Sequence, residues 1–75
     1  MIMLRIINQR NCEPVTNVTV QAHFIGVMRG YAEGTTNRDG EVHFDCNPGE
    51  AHIYIKGNEV FHGYLEGYKT IPINY

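Results

Sequence analysis

Residues 35–56 read TTNRDGEVHFDCNPGEAHIYIK. Val42 and Phe44 alternate with Glu41, His43 and Asp45, and Ala51, Ile53 and Ile55 then alternate with His52, Tyr54 and Lys56. Alternation with period two puts successive side chains on opposite faces of a strand, so each run reads as a half-buried β-strand. Asp39-Gly40 precedes the first run and supplies the positive φ angles that tight hairpins require. Pro48-Gly49 punctuates the interval before the second.

The rest of the chain keeps the same grammar. Ile2, Leu4 and Ile6 alternate with Met3, Arg5 and Ile7 in a first strand, followed by the polar turn NQRNCEP over 8–14. Val18, Val20, Ala22 and Phe24 alternate with Thr19, Gln21, His23 and Ile25. VMRGYAE over 27–33 reads as a weaker strand interrupted by Gly30, a candidate bulge, and 34–40 as a turn. Gly57-Asn58 reads as a two-residue turn before EVFHGYL (59–65), with Val60, His62 and Tyr64 on one face and Phe61 and Leu65 on the other. KTIPINY (69–75) turns Ile71, Ile73 and Tyr75 inward, and Pro72 suits an edge strand.

No apolar stripe of helical period survives for ten residues. Six or seven short strands with turns every 8–12 residues predict one all-β domain over 1–75, a small antiparallel β-sandwich of immunoglobulin-like build or a partly open barrel. The expected core is Val18, Val20, Phe24, Val42, Phe44, Ile53, Ile55 and Ile73.

With 75 residues, a single domain buries only ~60–65% of the surface its unfolded chain exposes, so association would help it stand. Six basic and eight acidic residues give a formal charge of -2. That balance, with no Lys/Arg cluster, argues against nucleic acid. No run approaches the ~20 apolar residues of a membrane helix, and MIMLRII is too short for a signal-peptide core. The expected location is therefore cytoplasmic. Cys12 and Cys46 are the only cysteines. A bridge between them would close a loop of about 35 residues, whereas a reducing compartment keeps both as thiols.

Pro14, Val18, Val20, Thr36, Gly40, Val42, Phe44, Pro48, Gly49, Ile53 and Ile55 reproduce an ordered pattern. A turn and proline precede a β-branched strand, Thr-x-x-x-Gly precedes an apolar strand, and Pro-Gly precedes another. Over roughly residues 2–57 this resembles the transthyretin-like (prealbumin-like) sandwich, in particular its carboxypeptidase regulatory-like modules. The enzymatic branch, the hydroxyisourate hydrolases, uses a first-strand histidine, an arginine after Thr-Asn-x-x-Gly and a C-terminal Tyr-Arg-Gly-Ser. This chain has Arg5, Glu41 and IPINY at those places, so the resemblance implies a non-catalytic module.

The residues themselves offer little chemistry. His23, His43 and His52 fall opposite the core positions of their strands. If the strands of His43 and His52 pair across Pro48-Gly49, the two imidazoles approach each other and, with Asp45 or Glu41, form a weak zinc candidate. A scatter of histidines on a solvated face is the simpler account, and no cofactor is expected. His62 reads as a half-buried packing residue. A nucleophile pair of Cys46 with His43 or His52 would need an activated thiolate and an oxyanion site, and a sandwich this small promises no cleft for them. Tyr54, Tyr64 and Tyr68, with Tyr31 and Tyr75, are candidate anchors for a protein partner, against ordinary cross-strand packing.

The function expected is thus that of a non-catalytic protein-binding or assembly module, not an enzyme, acting through sheet edges and exposed tyrosines. A protein partner or a homodimer is the occupant. A carbohydrate-binding module, its tyrosines forming the stacking platform, is the alternative. A His-based metal-binding protein or small hydrolase ranks below both.

Overall fold

The computed structural model describes residues 1–26 and 30–74. Seven strands follow in order: β1 (Ile2–Asn8), β2 (Thr19–Phe24), β3 (Tyr31–Thr35), β4 (Glu41–Phe44), β5 (Gly49–Ile55), β6 (Asn58–Leu65) and β7 (Gly67–Ile73). They form a three-stranded sheet, β4-β1-β7, and a four-stranded sheet, β3-β2-β5-β6. The chain is all-β and built as a small two-sheet sandwich, the architecture that the alternation predicts. No helix among the described residues is long and apolar enough to cross a membrane. The expected strand start at 27–29 and the inward Tyr75 lie outside the described residues.

The core is assembled from alternate residues of both sheets. Ile2, Leu4, Ile6, Val42, Phe44, Ile71 and Ile73 come from the smaller sheet. Val20, Ala22, Ala51, Ile53, Ile55 and Leu65 come from the larger, and Val15 and Val18 seal one end. Burying a Val, Leu, Ile or Phe side chain contributes ~1.5–3 kcal/mol, so this shared layer is what holds the sheets together. Every expected core residue is buried except Phe24, which is half-buried and packs against the cluster.

The turn dipeptides mark where strands end, but not which strands pair. β4 lies antiparallel to β1, with Leu4 opposite Val42, while β5 lies between β2 and β6. Asp39-Gly40 and Pro48-Gly49 are therefore corners between sheets, not hairpins. Of the first pair only Gly40 has a positive φ, 76°. Its carbonyl accepts the Ile6 N–H at 2.7 Å, and a Cβ there would stand 2.5 Å from the Ile6 carbonyl oxygen. Glycine at this place serves a close approach to β1. Asn37 builds the corner, its Oδ1 accepting the N–H groups of Asp39 and Glu41.

Gly30 precedes β3 instead of interrupting it, its carbonyl accepting the Phe24 N–H at 2.9 Å. β1 and β7 run parallel, with Ile6 opposite Ile71, a departure from the antiparallel expectation. Pro72 sits on the edge strand β7, as its missing N–H requires.

The β5–β6 hairpin turns on Lys56 and Gly57, one residue earlier than expected, with φ of 54° and 81°; positive φ at both central residues is the type I′ requirement. Along this ladder Ile55 faces Asn58 and Tyr54 faces Glu59, but Ile53 faces Phe61. Val60 is the extra residue of a β-bulge.

One buried polar group ties the corner together. Thr36 is 2% exposed, and its Oγ1 accepts the Val18 N–H at 3.1 Å while its own N–H donates to the Val18 carbonyl. Cys12 and Cys46 are both free. The Cys12 N–H bonds Asn8 at one end of β1, whereas Cys46 follows Phe44, which faces Ile2 at the other end. Six strand steps separate those ends by roughly 20 Å, too far for a disulfide within the chain.

Candidate functional site

The outward face of the four-stranded sheet gathers most of the chain's chemistry. Register aligns one row across all four strands: Tyr31 on β3, His23 on β2, His52 on β5 and His62 on β6. The imidazoles of His52 and His62 stack with centroids 4.1 Å apart and planes 12° from parallel. Tyr31 and Tyr54 each meet His23 edge-to-face, at 4.9 and 5.1 Å.

Two carboxylates bracket the stacked pair. Nδ1 of His52 lies 2.6 Å from Oε2 of Glu59, and Nε2 of His62 lies 3.0 Å from Oε2 of Glu50. Each carboxylate accepts an imidazole N–H, so two separate hydrogen-bonded His–Glu pairs lie side by side on a single hairpin, linked by the ring stack. The bulge is what puts Glu59 on this face. In regular alternation residues 59 and 62 point to opposite sides; with Val60 inserted, both point outward while Val60 packs toward the core.

Tyr31 and Glu33 complete the face at the β3 edge. The Tyr31 hydroxyl is held above its ordinary value, first by desolvation and then by the Glu33 carboxylate.

The residues marked in the sequence are divided by this arrangement. Tyr54 and Tyr64 stand on the outer face of the larger sheet, Tyr64 well exposed. Tyr68 is exposed on the outer face of the other sheet, opposite Met3. The pairing of His43 with His52 does not occur. His43 is opposite Met3 on β4, so the thickness of the sandwich, with sheets ~10 Å apart, separates the two imidazoles. His62, expected to be half-buried and to share a face with Val60, is exposed and bonded to Glu50.

Glu50 and Glu59 were not legible as partners. Only the true turn position together with the bulge brings His52 opposite His62, and neither has a distinctive sequence signal.

A nucleophilic cysteine gains no support. Cys46 lines an open depression of about 580 Å³ with Met1, Phe24 and Pro48, and there is no histidine among its described lining residues. Its thiol is raised from the ordinary value, chiefly by burial, the opposite of activation. No protein-family model, curated protein or solved structure matches this chain.

Proposed function

We propose that this chain is a non-catalytic protein-binding module whose recognition surface is the outer face of the four-stranded sheet, and that its partner presents a segment rich in Lys and Arg. The observation that carries the reading is the composition of that face. Among the described residues its outward strand positions hold Tyr31, Tyr54 and Tyr64 with Glu33, Glu50 and Glu59, and no Lys or Arg, while Lys56 stands at the turn beside Gln21 and Glu33. Tyrosine anchors a partner at low entropic cost. A guanidinium can stack on its ring while pairing with a neighbouring carboxylate.

The face serves better than the edges. β4 and β3 are short, β6 is bulged and β7 carries Pro72, all devices that blunt an edge against strand addition. A homodimer through this face would oppose like charges. Sugar stacking is disfavoured because Tyr31 and Tyr54 lie edge-to-face with His23 instead of forming a flat platform. The resemblance to carboxypeptidase regulatory-like modules points the same way, since the three hydrolase positions differ. A reducing compartment, the cytoplasm in the first instance, suits thiols held too far apart to bridge.

The test is site-specific photo-crosslinking in the native cell, with the cross-linker at position 31 or 64, or at Thr70 on the opposite face. The reading expects a basic protein captured from 31 and 64 alone, and lost when Glu33→Lys and Glu50→Lys are introduced. Capture from Thr70 alone, capture indifferent to the charge reversals, or capture of a second copy of this chain contradicts it.

A further inference from the structure

We propose that His52, Glu59 and His62 form a binding site for one zinc-class divalent cation. One ligand atom from each lies within 4.8 Å of the others. Two imidazoles and one carboxylate form a ligand set suited to zinc, leaving a fourth position open. Two nitrogens against one oxygen do not suit Mg²⁺ or Ca²⁺, which take oxygen ligands.

The geometry needs side-chain rotation but no movement of the strands. Bonds of about 2.0–2.1 Å in a tetrahedron place neighbouring ligand atoms roughly 3.3 Å apart. The His52–Glu59 hydrogen bond at 2.6 Å opens by a fraction of an ångström when an ion replaces its proton, and the longest separation closes by about as much as one side-chain rotation supplies. The backbone carrying all three groups is fixed, because β5 and β6 are joined by a tight two-residue turn and held by their ladder.

The surroundings match what a bound ion needs. Glu50 accepts from Nε2 of His62 at 3.0 Å. A ligating imidazole commonly donates its other nitrogen to a carboxylate, which fixes the ring and raises its basicity. Glu59 and Glu50 together balance the charge of a divalent ion. The two rings lie face to face 4.1 Å apart, and because an imidazole nitrogen ligates in its own ring plane, both must turn about their side-chain torsions to aim at one ion. The inference needs neither the tyrosines nor a second protein, although it shares Glu50 and Glu59 with the partner reading.

The experiment is titration of the chelator-stripped full chain with ZnCl₂ against a chromophoric chelator, in a Cys12→Ser/Cys46→Ser background that removes thiol binding. One Zn²⁺ per chain is expected. His52→Ala, His62→Ala and Glu59→Gln should each weaken it by at least about tenfold, and Glu50→Gln by about tenfold. His23→Ala and His43→Ala should leave it unchanged. Circular dichroism of each variant separates lost ligands from lost fold, and Co²⁺ substitution should give the absorption of a tetrahedral centre. Absence of Zn²⁺ uptake, equal uptake of Mg²⁺, or uptake that survives loss of both His52 and His62 overturns the proposal.

Discussion

Oε2 of Glu59 lies 2.6 Å from Nδ1 of His52, although the ladder opposes Glu59 to Tyr54 and His52 to His62. The contact is diagonal and is created by the bulge at Val60. Both side chains are substantially exposed, at 43% and 32%, so the pair adds little to folding. Glu59→Gln should therefore change unfolding free energy by less than about 1 kcal/mol in urea titration. A loss of several kcal/mol would make the contact structural.

The buried hydroxyl of Thr36 is the opposite case. Thr36→Val keeps the shape but orphans the Val18 N–H, and should cost about 1–3 kcal/mol. Thr35→Val, one residue away and exposed, should stay within about 0.5 kcal/mol. Comparable effects in the two urea curves would contradict the burial of this hydrogen bond.

How much of this was legible can be argued from particular residues. The faces of β1, β2, β4 and β5 follow from alternation, because a strand's side-chain period is fixed by its backbone; Val42 inward and His43 outward needed no structure. Which strands are neighbours is a different matter. Asn37-to-Gly40 and Pro48-Gly49 look like hairpin turns locally, yet the competition for partners is decided by nonlocal packing, where β1 outbids both neighbours for β4. Val60 broke the parity reading of β6 because a bulge costs one residue and leaves no compositional mark. The site depends on these two features, so its tyrosines and histidines were visible singly and their assembly was not.

Gly40 gives a test of the first corner. Gly40→Ala strains a positive φ and drives a Cβ against the Ile6 carbonyl, and should destabilise by more than about 1 kcal/mol. Gly57→Ala has a positive φ but open space around it, and should cost less. The order of the two melting temperatures checks this.

The cysteines should differ in reactivity. Burial raises the Cys46 thiol against the opposing pull of the N-terminal ammonium, with Asp45 adding to the rise, and Cys12 is exposed. At pH 8 iodoacetamide should modify Cys12 well before Cys46. The sign for stability follows: a thiol raised in the folded state favours folding below the ordinary thiol range, and that contribution fades as pH rises through the folded value. Mass spectrometry of partly alkylated protein, with Cys46 modified first, would refute the assignment.

The placement of β5 beside β2 and β6, and not beside β4, underlies both the recognition face and the metal site. Proton NMR reads it directly through nuclear Overhauser effects between histidine rings. The structure predicts a strong cross-peak between His52 and His62, whose centroids are 4.1 Å apart, another between His23 and Tyr31, and none between His43 and His52. A His43–His52 cross-peak with no His52–His62 signal would mean a hairpin across Pro48-Gly49, and the account would fail.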